Sequence, residues 1–461
     1  MNTLAKQIVK PADGWRLPAS APIRIGLWMV SGLFIVFFAI RLYFALKLLP
    51  SPVGDSVEEL EPIFNYCHNN ALLAHLWPLD PAKLDRFDWH GPLPAMMFHW
   101  LSPGCTLRWI YIVHTIAFLT IPAALLFLVW RQMLPPTMGL AVCLFAFAAY
   151  EKLQFRPESF ALIFVVLTYC AYRLRSNFIE GFLVGCLIAT APVSGAFYGL
   201  VRLVLGERPR PLDAVLLTTG ALAALLAFVL LYPFPIKDLM AGLAANAHVT
   251  VNRSDGSLIS GLFFYYIRSD FLPLWGISLI LLIISLLRAT PAIALVLPFI
   301  WFFGFRAPPT NYNLVPLTVA MALLGYPGIS VRWRPIVVLS LVVPAILGLS
   351  QLTLRDAISA AAYPESYTRT QALMDKLLAD RWPIIRSPPF TIFMSPELIH
   401  VASNSIPALT GGHLRGAIII VADNAYRREC PAGSDPIDKD RTRIRFFNSS
   451  SSWAVGICKV N

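Results

Sequence analysis

Long apolar blocks recur from residue 25 to residue 351, and they constrain this chain more than any other feature. They cover residues 25–48, 106–130, 135–150, 158–174, 178–191, 192–206, 212–232, 271–287, 290–304, 314–330 and 335–351. A helix needs about 20 apolar residues to cross a bilayer. Composition agrees with that reading: 57% of residues are hydrophobic and 14% are charged, where a soluble domain carries about 25% charged. The expected fold class is a polytopic α-helical membrane protein with about eleven transmembrane helices. Several blocks fall short of full length, so kinks or burial inside the bundle are expected there. Pro192 lies midway through 178–206, where it either breaks or kinks the helix.

The formal net charge is +11. The basic residues sit between apolar blocks, so topology accounts for them and no nucleic-acid partner is expected. The first block follows Lys6, Lys10, Arg16 and Arg24, and no small-residue cleavage site comes after it. It reads as a retained anchor rather than a signal peptide. With the N-terminus cytoplasmic, Arg131, Arg173, Arg175, Arg202, Arg208, Arg210, Arg288, Arg332 and Arg334 all fall on the cytoplasmic side. Short loops are where the positive-inside rule works best. The outer side then receives 49–105, about 233–270, and 352–461.

Two domains follow. Residues 1–351 form the membrane domain, with 49–105 as its first extracytoplasmic loop. Residues 352–461 form a small extracytoplasmic, periplasmic α/β domain. Residues 365–380 suit an amphipathic helix, and β-rich runs occur at 389–394, 416–422, 442–447 and 453–459. Cys143, Cys170 and Cys186 lie inside apolar blocks and read as packing residues. Cys67 with Cys105 and Cys430 with Cys458 lie outside, where an oxidising compartment permits disulfides. The sequons at Asn252 and Asn448 carry meaning only in a secretory pathway.

Chemistry-bearing residues collect on the outer side. The first loop opens Gly54-Asp55-Ser56-Val57-Glu58-Glu59-Leu60-Glu61. Asp55, Glu58 or Glu59 can act as a general base at the membrane edge. The same pattern also suits a solvated helix start, with Asp55 as N-cap. The loop ends with His90-Gly91-Pro92-Leu93-Pro94 and an aromatic run to Trp100. That run suits the membrane interface, and His90 is either a phosphate or proton-transfer group or an interfacial side chain. Arg156-Pro157-Glu158 opens another block. Its guanidinium suits phosphate oxygens, and its Pro and Glu also suit a helix start. His248 and Arg253 lie in an outer segment without a motif. Arg306 and Tyr312 precede Asn313-Leu314-Val315-Pro316 and suit a phosphate or a sugar. Phosphate-binding P-loop, Gly-x-Ser-x-Gly and His-Glu-x-x-His motifs do not occur.

These pieces in this order resemble the membrane glycosyltransferases of the GT-C fold, which include protein O-mannosyltransferases and lipid A aminoarabinose transferases. The matching residues are Asp55 with Glu58 and Glu59, His90-Gly91-Pro92-Leu93-Pro94, Arg156-Pro157-Glu158, and Tyr312-Asn313-Leu314-Val315-Pro316. The chain departs from the family at Asp55-Ser56, where an Asp-Glu or Asp-Asp pair is usual, and at Asn311-Tyr312, where Arg-Tyr is usual. The resemblance implies a polyprenyl-phosphate-linked sugar donor and a glycan, lipid or protein acceptor. It implies transfer on the extracytoplasmic face of the plasma (inner) membrane. Asp55 would take the acceptor proton. Arg156, with His90 or Arg306, would stabilise the departing phosphate. A single displacement inverts the anomeric centre. Members differ in needing a divalent cation, and the first-loop acids can hold one or none. Two other readings stand beside it: a lipid-carrier or solute transporter, and a non-catalytic relative that serves in assembly.

Overall fold

The computed structural model describes residues 93–102, 107–153, 156–232, 275–301 and 313–346, helical positions between 25 and 42, and the backbone of six strands beyond residue 383. The described part is mostly helical.

In chain order the helices are α1 (positions between 25 and 42), α2 (Leu93–Leu101), α3 (Leu107–Phe118), α4 (Thr120–Trp130), α5 (Pro136–Lys152), α6 (Pro157–Arg173), α7 (Asn177–Thr190), α8 (Pro192–Leu205), α9 (Pro211–Leu231) and α10 (Trp275–Ala289). A 3-10 turn (Pro291–Val296) then runs into α11 (Leu297–Trp301). It is followed by α12 (Leu314–Gly325) and α13 (Arg334–Ile346).

Proline punctuation explains many of the starts. Pro136, Pro157, Pro192, Pro211 and Pro291 each occupy the first helical position. There the missing N–H costs nothing, because that amide has no intrahelical partner. The residue before each proline is driven to extended backbone, as Arg156 (ψ 147°) and Arg210 (ψ 161°) illustrate. Ala191 is extended too (φ −145°, ψ 91°), so Pro192 breaks the 178–206 stretch into two helices. These form a tight hairpin, with Gly195 backed against Ile188. By contrast, Leu119 stays helical between α3 and α4. Pro122 lacks the N–H that would reach Phe118, while the Leu119 and Ala123 amides keep their bonds to the Thr115 and Leu119 carbonyls.

Ile112–Trp130 and Pro211–Leu231 are each long and apolar enough to cross a bilayer, by length and composition. The helix α9 buries only a narrow stripe of Gly220, Ala224 and Phe228. Leu212, Val215, Leu222, Leu226 and Leu230 are exposed around the rest of its surface. The buried stripe meets α7 in parallel. Gly181 faces Leu217, and Gly185 faces Ala221 and Ala224. A Cβ on Gly185 would stand 2.6 Å from the Ala221 carbonyl oxygen. Small residues four apart let two backbones approach this closely. Asn177 Nδ2 donates to Asp213 Oδ1 at 2.6 Å, joining the starts of the two helices.

Two ends of the bundle can be told apart. Ser194 meets Asn313, and Leu205 lies beside Gly325, so α8 and α12 are parallel. Arg202 sits over the Tyr172 ring, and the Glu207 amide donates to the Tyr172 hydroxyl, which brings the α6 and α8 ends together. We call the end where α6, α8 and α12 begin the upper end, and the other the lower end. Between them lies one continuous apolar core that includes Phe145, Phe160, Tyr169, Phe197, Leu282 and Leu317.

Beyond the helices, β1 (Ile384–Arg386), β2 (Ala402–Ser403), β3 (Ile418–Asp423), β4 (Ser434–Pro436), β5 (Thr442–Arg445) and β6 (Ser452–Val460) pair in one mixed sheet. Its order is β2-β1-β3-β6-β4, with β5 also on β6. The strand β1 runs parallel to β2 and β3, whereas β6 is antiparallel to β3, β4 and β5. The expected helix at 365–380 and the β-run at 389–394 lie outside the described residues.

Candidate functional site at the upper end

Helix α6 begins at the upper end with Arg156 as its N-cap. Pro157 holds Arg156 in extended backbone, so the guanidinium turns back over the first helical turn. There Arg156 Nε donates to Glu158 Oε2 at 3.2 Å. Both side chains are almost wholly buried, at 4% and 3% exposure. A buried charge requires a partner, and each supplies the other's. Glu158 also sits in the first turn, where the helix dipole favours a carboxylate.

One turn further, Ser159 Oγ donates to the Arg156 carbonyl at 2.7 Å. Its hydroxyl proton is committed there, so the contact with His114 Nε2 at 3.1 Å is one in which the imidazole donates. His114 is fully buried in α3. Its ring stacks on Tyr150 from α5, with centroids 4.2 Å apart and planes 17° apart. The Tyr150 hydroxyl in turn donates to the His114 carbonyl. Phe98 from α2 and Phe160 close the other sides of the imidazole. Helices α3 and α5 thus hold the first turn of α6 through one hydrogen-bonded chain, and α2 packs against it through Phe98.

A second polar link lies at the same end. Ser194 Oγ donates to Asn313 Oδ1 at 2.6 Å, and both residues are buried. The link joins the first turn of α8 to the start of α12. Hence α6, α8 and α12 all direct their N-termini, and their unsatisfied N–H groups, toward the upper end.

Of the expected site residues, Arg156 and Glu158 are described and form one pair. Asp55, Glu58, Glu59, His90, His248, Arg253, Arg306 and Tyr312 lie outside the described residues, as does Cys430. Sequence reasoning assigned no role to His114, Tyr150, Ser159, Ser194 or Asn313. A lone ionisable residue inside an apolar block was the available signal for His114. Asn313 adjoins Tyr312 in the stretch already singled out. Cys143, Cys170 and Cys186 are free thiols within the helices.

No protein-family model, no curated protein and no solved structure matches this chain.

Proposed function

We propose that this protein is a multi-pass membrane glycosyltransferase of GT-C type. It would move a sugar from a polyprenyl-phosphate donor to an acceptor on the extracytoplasmic face. The observation that carries this reading is the buried Arg156–Glu158 pair at the start of α6, at the end toward which α6, α8 and α12 all direct their N-termini. A guanidinium among helix N-termini suits the charge that builds on a departing lipid phosphate.

Two features support the membrane setting. Apolar side chains are exposed over α9, α10 and α13, including Leu226, Leu230, Ile284 and Leu339. Water is a poor solvent for a surface of that kind. The polar contacts divide between the two ends. Arg156, Ser159, Tyr150, Ser194 and Asn313 meet at the upper end, which the sequence assigns outside. Arg202, Glu180, Asp213, Arg288 and Arg334 gather at the lower end, which it assigns to the cytoplasm. Gly26 lies against Pro136, both assigned cytoplasmic, with a Cβ on Gly26 falling 2.5 Å from Pro136 Cβ.

In the proposed reaction the acceptor hydroxyl attacks the anomeric carbon, and the bond to the lipid phosphate oxygen breaks. Asp55 takes the hydroxyl proton. Arg156 stabilises the phosphate that leaves, while Glu158 and the Ser159–His114 link hold Arg156 in place. The first-loop acids Asp55, Glu58 and Glu59 are also the groups available to a divalent cation. The strands beyond residue 383 would belong to the extracytoplasmic α/β domain.

The test is transfer from radiolabelled polyprenyl-phosphate sugars to a crude envelope extract by protein in proteoliposomes. Wild type is compared with Asp55→Asn and Arg156→Ala. Removing a preorganised charge contact typically lowers turnover about 10²- to 10³-fold, and both variants should fall by that order, read per folded protein because Arg156→Ala strands the buried Glu158. Undiminished transfer by Arg156→Ala would sink its assigned role. No transfer from any donor by folded wild type would favour the transporter or assembly reading.

A further inference from the structure

At the lower end, α10 finishes with Arg288, and the link into α13 reads Val331-Arg332-Trp333-Arg334. The Arg288 guanidinium lies 4.1 Å from the centroid of the Trp333 ring. The Arg334 guanidinium lies 5.2 Å from the Tyr326 centroid, and its Nε donates to the Ile329 carbonyl at 3.1 Å. Arg332 is exposed between them. Three guanidinium groups therefore share one corner of the bundle.

That corner has no counter-charge of its own. Residues 271–355 contain no aspartate or glutamate. Among the described residues, no carboxylate pairs with Arg288, Arg332 or Arg334. Arg202, at the same end, has a counter-charge in Glu180 at 2.7 Å.

Apolar stripes run from this corner along both helices. Ile284 and Leu281 lie one and two turns before Arg288, toward the upper end, on the same face of α10, and both are exposed. On α13, Leu339, Val343 and Ile346 form an exposed stripe that continues from Pro335, around the helix from Arg334. Cations and ring edges at one level, with exposed aliphatic chains leading away, match the parts of a phospholipid. The phosphate needs the guanidinium groups, and the acyl chains need the stripes.

We infer that the Arg288–Arg332–Arg334 corner binds an anionic phospholipid of the leaflet facing the lower end. This rests on the membrane setting and not on glycosyl transfer, so either can fail alone. The aromatic rings hold two of the guanidinium groups in place before the lipid arrives, which reduces the ordering that binding requires. The proposal commits to a lipid rather than to a free anion, because the apolar stripes have no use in holding inorganic phosphate.

The full-length protein in neutral detergent is titrated with phosphatidylglycerol or phosphatidylcholine, and bound lipid is counted by native mass spectrometry. Phosphatidylglycerol should bind well above phosphatidylcholine. Arg288→Ala with Arg332→Ala should weaken it by about tenfold or more, since each surface cation contributes on the order of 1 kcal/mol. Arg208→Ala removes one charge at another exposed lower-end position and should leave binding within about twofold. Should the double variant fail to fold, Arg332→Gln alone is read, because that side chain is exposed and should weaken binding about fivefold. Equal binding of the two lipids, or equal loss with Arg208→Ala, would overturn the proposal. So would stabilisation by inorganic phosphate alone that matches phosphatidylglycerol.

Discussion

The buried ion pair at the lower end shows what a single residue does here. Arg202 donates to Glu180, to the Glu207 carbonyl, and rests over Tyr172 at 4.2 Å. It therefore joins the foot of α7 to the end of α8 and to the link that follows. Replacing one member strands the other as an uncompensated charge, which costs about 3–5 kcal/mol. Arg202→Met should fall in stability by that order, and Glu180→Leu with Arg202→Met should recover most of it. Unfolding of wild type, Arg202→Met, Glu180→Leu and the double variant in detergent, read as a double-mutant cycle, checks this; an additive cycle would contradict it. Among the described residues, Gln132 (58°) and Arg175 (56°) adopt positive φ. Each follows a helix end in a Schellman arrangement, with Met133 N bonded to Leu128 O and Ser176 N to Ala171 O. Glycine suits that backbone better. Gln132→Gly and Arg175→Gly should each raise stability by about 0.5–1 kcal/mol, seen as a higher thermal midpoint.

Among elements, the α7–α9 pair depends on the absence of side chains. Gly181 and Gly185 on one helix face the Gly220 and Ala224 stripe on the other. Gly185→Leu would drive the helices apart, and loss of folded, monodisperse protein in detergent is the expected outcome. Gly199 on α8 has nothing within 4 Å of its would-be Cβ. Gly199→Ala should be tolerated and should stabilise by about 0.5–1 kcal/mol. A lower thermal midpoint for Gly199→Ala would contradict this account of where glycine is needed. The 14-residue helices α7 and α8 reach only about 21 Å each at 1.5 Å per residue. That is short of a hydrocarbon core about 30 Å thick, and the Ala191–Pro192 turn is what ends them.

For the whole molecule, the arrangement separates polar contacts into two layers with an apolar core between them. The exposed aliphatic face of α9 is the surface expected to meet lipid. Nitroxide labels at Leu222→Cys and Leu226→Cys in reconstituted vesicles should be quenched by oxygen, which dissolves in lipid, rather than by a water-soluble relaxant. A label at Arg208→Cys should show the reverse. Equal access of the water-soluble relaxant to all three would refute the lipid-facing assignment.

Much of the helical framework was legible along the chain, because apolar runs and prolines act locally. A proline fits a helix best at its first turn, so Pro136, Pro157, Pro192 and Pro211 mark helix starts without reference to the fold. The basic links were legible for the same reason. Arg156-Pro157-Glu158 also stood out, since its charge pair spans two residues. The partners of that pair did not. His114 and Ser159 are separated by 45 positions, and Ser194 and Asn313 by 119, so nothing local relates them. Likewise, Gly181 and Gly185 read as ordinary small residues until α9 is laid parallel against them. The tertiary structure decided these matters because buried polar groups must find partners wherever the packed chain brings them, and backbones approach closely only where both surfaces lack side chains.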